Sequence, residues 1–219
     1  MAIMQDAANG TARFYLQFGG QGTFWFNEFN RYYNEPKMKR FFDVVISSIE
    51  EELPRIGNTV GLPEGFAIRS WLENPASRPH DEYLETSVVS LTMIQATQLA
   101  HYEWLTLHGF PRPELLRYTS GVTGHSQGII TACLVALAKD GDDYYKALGA
   151  FMKYILYLGV RCQEAFPYFS ATDDEIKDAA TLEAGHPGPM AAVIGEDEDF
   201  VTKTVSEFNK TLDKDHKIY

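Results

Sequence analysis

The chain has 219 residues, 45% of them apolar and 22% charged, a balance that suits one globular domain with a real core and part of a second. Acidic residues outnumber basic ones 30 to 19, and the net charge of −11 argues against nucleic acid or an anionic membrane surface as a partner. No apolar run reaches about 18 residues, and the start, Met1 to Asp6, has neither the basic nor the apolar region of a secretory signal. A cytoplasmic protein is therefore expected, with Cys133 and Cys162 as reduced core residues.

Residues 1–11 are small and polar and read as a flexible lead-in. Arg13 to Phe18 alternates, with Phe14, Leu16 and Phe18 on one face, and breaks at Gly19-Gly20-Gln21-Gly22, which reads as a strand entering a glycine turn. The aromatics Phe24, Trp25, Phe26 and Phe29 are expected in the core. Met38, Phe41, Phe42, Val45 and Ile49 then recur at helical spacing up to Pro54, which is expected to end the helix. Residues 57–81 are rich in glycine and proline but hold Trp71 and Leu72, and suggest an ordered surface excursion.

Thr86 to His108 carries Leu91, Ile94, Gln98, Tyr102 and Leu105 on one helical stripe, closed by Gly109 and Pro111. Gly121 to His125 reads as a short strand that turns hard at Ser126. Gly128 to Ala138 is apolar almost all round, as in a buried helix, and a further helix from Asp142 aligns Leu148, Phe151, Ile155, Leu158 and Cys162. Thr172-Asp-Asp-Glu175 is a capping box for a short polar helix, and His186-Pro187-Gly188-Pro189 has the look of a hinge. Met190 to Ile194 then predicts a strand, Asp197 to Leu212 a helix with Val201, Val205, Phe208 and Leu212 facing in, and Ile218-Tyr219 the first step of another strand.

Gly124-His125-Ser126-Gln127-Gly128 is the motif with chemistry in it. A serine between a strand and a helix, flanked by glycines, is held in a strained turn from which its hydroxyl stands out at a helix N-terminus. The backbone N–H of Gln127 is then placed to receive the oxyanion of a tetrahedral intermediate. The turn Gly19 to Gly22 has neither the Lys-Ser/Thr of a P-loop nor a dinucleotide pattern; beside a nucleophile it becomes a candidate second donor through the N–H of Gln21.

Phe18-Gly-Gly-Gln-Gly22 and Thr123-Gly-His-Ser-Gln-Gly-Ile-Ile-Thr-Ala132 together resemble the malonyl/acetyl-transferase family, and within it the acetyltransferase domain of the fungal-type fatty acid synthase β subunit. Gln98-Leu-Ala-His-Tyr102, Gly159-Val-Arg-Cys-Gln-Glu-Ala-Phe-Pro167 and Pro187-Gly-Pro-Met190 extend the resemblance over nearly the whole chain. Starter-unit transacylase domains of fungal polyketide synthases are similar too. The resemblance implies an α/β fold: an α/β-hydrolase-like acyltransferase core over residues 12–186, then the beginning of a ferredoxin-like subdomain over 187–219, incomplete at the C-terminus.

It also implies a two-stage transfer without metal or bound cofactor. Ser126 would take the acyl group from acyl-CoA, with Gln21 and Gln127 as the oxyanion hole, and pass it to the phosphopantetheine thiol of acyl carrier protein. The remaining segments or subunits of a fatty acid synthase complex are the other implied partners. His125 is a site-lining residue in the family, and the resemblance implies a catalytic histidine downstream of this chain; His80, His101, His108, His186 and His216 read as packed or surface residues and not as substitutes for it. Relatives that accept malonyl groups pair its carboxylate with an arginine where this chain has Leu158, so an acetyl or other short uncharged acyl group is expected; Arg161, one turn on, is taken as structural. The alternatives are loading of a polyketide starter, or a non-catalytic structural piece of a megasynthase.

Overall fold

A computed structural model of the chain describes residues 2–22, 24–57, 61–138, 140–165, 174, 177, 181 and 193–212. It divides the chain into two units, Met1–Phe169 and Ser170–Tyr219.

In the first unit, strand β1 (Phe14–Phe18) alternates as its sequence does, Phe14, Leu16 and Phe18 packing on the core while Tyr15 and Gln17 are exposed. It pairs in parallel with β2 (Thr119–Gly124), from Tyr15 opposite Gly121 to Phe18 opposite Gly124. Parallel neighbours need a long crossover, and here it is helical: α2 (Phe26–Tyr33), α3 (Lys39–Ile56), α4 (Ile68–Glu73), α5 (Asp81–Leu84), α6 (Ser87–Leu107) and α7 (Arg112–Arg117). The result is an α/β unit dominated by helix. A helix α1 (Ala2–Ala8) precedes β1 and buries Met4 and Ala7, where the sequence suggests only a lead-in.

Two expectations for the crossover need correction. Pro54 does not end α3: in the last turn its missing N–H costs a single bond, so the helix runs to Ile56 and closes at Gly57, whose φ of 66° only glycine takes without strain. Residues 57–81 are not all surface, because Phe66 stacks on Trp71 with ring centres 5.7 Å apart, and Ile68, Trp71 and Leu72 are buried. The aromatics Trp25, Phe26 and Phe29 are core residues as expected, Trp25 Nε1 donating to the Leu84 carbonyl at 3.1 Å.

The central helix is α6, buried on every side from Val88 to Thr97. Along it lies α9 (Asp142–Ala165), and Gly159 permits the contact, since a Cβ there would meet the Ser87 carbonyl at 3.0 Å. Gln163 Oε1 accepts the Ser87 N–H at 2.8 Å, so one helix caps the other's first turn. Helix α8 (Gly128–Leu137) departs from expectation. It packs on both strands through Gly128, Thr131, Ala132 and Val135, but Ile129, Cys133 and Leu137 face outward, with Leu137 82% exposed. Cys133 is therefore a free surface thiol and not a core residue, while Cys162 is half-buried.

In the second unit, α10 (Glu198–Phe208) begins where the N-cap Asp197 accepts the Phe200 N–H through Oδ1 at 2.8 Å, with Glu198 and Asp199 in the first turn, where negative charge suits the helix dipole. None of its residues is buried; Val201 and Val205 are half-covered and Phe208 is exposed. Val193 and Ile194 are exposed and form no strand, and the rest of the expected strand, at 190–192, lies outside the described residues. So do the hinge at 186–189, the Ile218-Tyr219 step and most of the expected polar helix from 172 to 185.

Candidate active site

Because β1 and β2 are parallel and Phe18 pairs with Gly124, the two glycine turns leave the sheet side by side at its C-terminal edge. That edge is where open α/β sheets hold ligands. The His125 N–H donates to the Phe18 carbonyl at 2.9 Å, tying the start of one turn to the start of the other.

Ser126 has φ of 51°, the one positive φ outside glycine among the described residues. A side chain in this left-handed region costs about 1–2 kcal/mol, and such strain persists only where the surroundings enforce it. Both flanking glycines show the enforcement. A Cβ on Gly124 would lie 2.1 Å from the backbone carbon of Gly128, and one on Gly128 would lie 2.4 Å from the Gly19 carbonyl oxygen. Past the turn, Gly128 N–H donates to His125 O at 2.9 Å and Ile129 N–H to Ser126 O at 3.1 Å, which starts α8 directly beneath the serine.

The first turn closes over the second. A Cβ on Gly20 would stand 3.0 Å from Ser126 Cβ and 3.1 Å from His125 Nδ1, so the Gly20 backbone lies against both residues. Among the described residues, the backbone N–H groups of Gln21 and Gln127 donate to no acceptor. Gln127 turns its side chain inward, where it is buried; its Oε1 lies 3.5 Å from Gln95 Nε2, and Gln95 Oε1 accepts from Thr131 Oγ1 at 3.0 Å. From α6, Gln98 Nε2 donates to the Gly19 carbonyl at 2.7 Å.

Ser126, His125, Gln127 and the turn holding Gln21 are thus gathered at one place. Leu158 is half-buried on α9, packed on the core, and takes no part in the contacts around the two turns. Arg161 is exposed, and its guanidinium pairs with Glu164. The sequence pattern does not mark Gln95, Gln98 or Thr131 as site residues. The available signal was Gln98 itself, a polar residue on the apolar stripe of α6.

The described histidines have other partners or none at the serine. His101 Nε2 lies 3.5 Å from Glu28 and its ring meets Tyr32, His108 stacks on Trp104 and bonds its carbonyl, and His80 sits between Glu64 and Glu82. Among the described residues no cluster of His, Cys, Asp or Glu is arranged to hold a metal, and no helix is long and apolar enough to cross a membrane.

The family described as "Starter unit:ACP transacylase in aflatoxin biosynthesis" matches residues 16–219. The chain is 31% identical over 216 residues to the fatty acid synthase subunit beta of Saccharomyces cerevisiae, which covers 94% of this chain and 10% of that one. It is 30% identical over 154 residues to the fatty acid synthase beta subunit pigK of Monascus ruber, covering 69% and 8%, and 28% over 229 residues to the beta subunit TOXC of Cochliobolus carbonum, covering 99% and 11%. The chain thus spans about a tenth of the length of the curated relatives it matches. A match that begins inside β1 and takes in both glycine turns makes the chain a member of the starter unit:ACP transacylase family, homologous along most of its length to fungal fatty acid synthase beta subunits.

Proposed function

We propose that this chain carries the nucleophile of an acyltransferase that loads an acetyl or other short uncharged acyl group from CoA onto acyl carrier protein, the starter step of fatty acid synthesis. The observation that supports it most directly is Ser126 at φ 51°, strained between two glycines that have no room for a side chain and faced by the Gly20 backbone. Ser126 Oγ attacks the thioester carbonyl, and the oxyanion takes the N–H groups of Gln21 and Gln127. Collapse breaks the carbon–sulfur bond, and the seryl proton, held by a base, passes to the departing CoA thiolate. The phosphopantetheine thiol of the carrier then attacks the acyl-serine and restores Ser126 by the same steps in reverse order.

No hydrogen bond joins Ser126 Oγ to His80, His101, His108 or His125 among the described residues, so the proposal makes none of them the base. The resemblance puts Leu158 where relatives that accept malonyl groups carry an arginine, and a leucine would offer a malonyl carboxylate no partner, which favours an uncharged acyl group. The core of this enzyme is, in the same proposal, α/β-hydrolase-like, its partners the other segments of a fatty acid synthase, and its location the cytoplasm.

The matched family is described as a starter unit:ACP transacylase in aflatoxin biosynthesis, which supports a second reading in which the chain loads the starter unit of a polyketide synthase. Intact-protein mass measurement after incubation with acetyl-CoA, malonyl-CoA or hexanoyl-CoA separates the two. An acetyl adduct absent from Ser126→Ala is the expected result, a hexanoyl adduct alone favours the second reading, and labelling that survives Ser126→Ala overturns both.

A further inference from the structure

We infer that Gln98 is a positioning residue for the oxyanion-binding turn: its side-chain amide, reaching across from α6, holds the Gly19 carbonyl and thereby aims the peptide groups that follow. The inference rests on the proposed acyl transfer for its kinetic consequence but not for its geometry.

Gly19 and Gly20 have no side chains with which to anchor themselves, and glycine is the residue with most backbone freedom. An unrestrained Gly-Gly turn would sample many directions for the Gln21 N–H. In the structure the Gly19 carbonyl is fixed by two neighbours. It lies over Gly128, where a Cβ would come within 2.4 Å, and it accepts from Gln98 Nε2 at 2.7 Å. The Gly19–Gly20 peptide is planar and trans, so pinning that oxygen also sets the Gly20 N–H and Cα. Only φ and ψ of Gly20 then remain between the pinned group and the Gln21 N–H, and Gly20 itself lies against Ser126 and His125.

The orientation of the Gln98 amide follows from chemistry. A carbonyl only accepts, so the NH2 end must face Gly19. That choice leaves Gln98 Oε1 buried with no hydrogen-bond partner in the structure. A buried unpaired amide oxygen is costly, and the bond to Gly19 is what the molecule receives for it. Gln95, one turn earlier on α6, is turned instead to Thr131 and Gln127, so the two glutamines brace the two halves of the site.

The test uses the full 219-residue chain with Gln98→Met, which keeps the length and loses the donor, and Gln98→Glu. Three quantities are measured: acetyl-Ser126 formation from acetyl-CoA by intact mass, amide hydrogen exchange of the segment 18–22, and the melting temperature. Gln98→Met is expected to keep its melting temperature within a few degrees, exchange faster at 18–22, and acylate about ten- to a hundredfold more slowly, below the full loss of an oxyanion donor. Gln98→Glu supplies the discriminating signature. Its carboxylate opposes the Gly19 carbonyl at pH 7.5, but its protonated form donates again, so its rate relative to wild type rises toward pH 5 while that of Gln98→Met stays flat. Wild-type exchange at 18–22 in Gln98→Met, or a flat pH ratio for Gln98→Glu, overturns the inference. If wild type forms no acyl-serine at all, the proposed function falls, and faster exchange in Gln98→Met still upholds the tether.

Discussion

Gly128→Ala sets helix propensity against space. Alanine is better than glycine by about 1 kcal/mol inside a helix, and Gly128 is the first residue of α8, so propensity alone favours the substitution. Space opposes it. The new Cβ would lie 2.4 Å from the Gly19 oxygen, 2.5 Å from the Phe18 oxygen and 2.8 Å from the Phe18 carbon. These are backbone atoms, held by the pairing of β1 with β2 and by the His125 N–H bond to Phe18 at 2.9 Å, so no rotamer change relieves the contact. Relaxing the closest contact from 2.4 to 3.0 Å requires a shift of 0.6 Å at Gly19.

Overpacking of this kind costs about 1–3 kcal/mol, and contact with fixed backbone atoms belongs to the upper part of that range, so against about 1 kcal/mol of propensity it leaves a net loss of up to about 2 kcal/mol. In a unit of this size that is a fall in melting temperature of up to about 8 °C. The displaced Gly19 carries the Gln21 N–H with it, and since misplacement by about 1 Å can cost a hundredfold, acylation should slow by about tenfold or more. Circular-dichroism melts and single-turnover mass measurement read the two effects. A variant that melts at or above wild type refutes the steric reasoning, and one that melts lower but acylates at the wild-type rate refutes the link from packing to the site.

Arg112→Met should destabilise by about 3–5 kcal/mol, because Arg112 is the buried partner of Glu103, itself 1% exposed, and lies 3.6 Å over the Tyr144 ring. Urea unfolding should show Glu103→Gln restoring much of the loss in the double variant; a double variant no better than the single would mean the buried charge is not the cause. Glu52 is buried, which would raise its carboxyl, but bonds from Tyr157, Lys153 and Arg55 outweigh burial and hold it below the ordinary value. A depressed folded pKa gives stability that is present above the unfolded value of about 4.3 and lost as pH falls through the folded one. Glu52→Gln should therefore flatten the acid limb of the stability profile below about pH 4.3, and an unchanged limb would refute the assignment. Leu158→Arg should raise malonyl relative to acetyl labelling by about tenfold, the worth of one charge-assisted pair; unchanged selectivity in a folded variant places Leu158 outside the acyl pocket.

What the sequence revealed is what side-chain patterns carry. The alternation of Phe14, Leu16 and Phe18 located β1, and the apolar repeats located α3, α6, α8 and α9. Boundaries failed where backbone chemistry decides them, as at Pro54 and Gly57. Burial failed at α8 because periodicity reports which faces are apolar and not which are covered, and Ile129, Cys133 and Leu137 are apolar but open. Arg112 was illegible for a related reason: a lone arginine after Pro111 reads as surface, and only the fold brings Glu103, Asp140 and Tyr144 around it. Gln98 appeared only as an anomaly on an apolar stripe, since the Gly19 carbonyl it holds is distant in sequence.

Ser126 was legible because flanking glycines mark its turn, whereas the contacts that hold the two turns together are largely backbone contacts, and that has a consequence for what controls their alignment. The two turns face each other only because Phe18 and Gly124 share a rung of the parallel pair. Strand residues advance by about 3.3 Å, so a slip of one register would carry Gly20 off Ser126, against which its Cβ would now stand 3.0 Å away. What resists the slip is burial on one face. Leu16 and Val122 are paired and both pack on the core, whereas Tyr15 and Gly121 face away from it, so a shift by one would exchange an apolar contact for an exposed one. The exposed Tyr15 ring lies across Gly121, with a carbon 2.4 Å from where a Cβ would be, and this adds a steric peg to the same register. The alignment of Ser126 with the turn holding Gln21 is therefore set by hydrophobic packing along the two strands, and β1 and β2 are as much a part of the candidate site as the glycines that follow them.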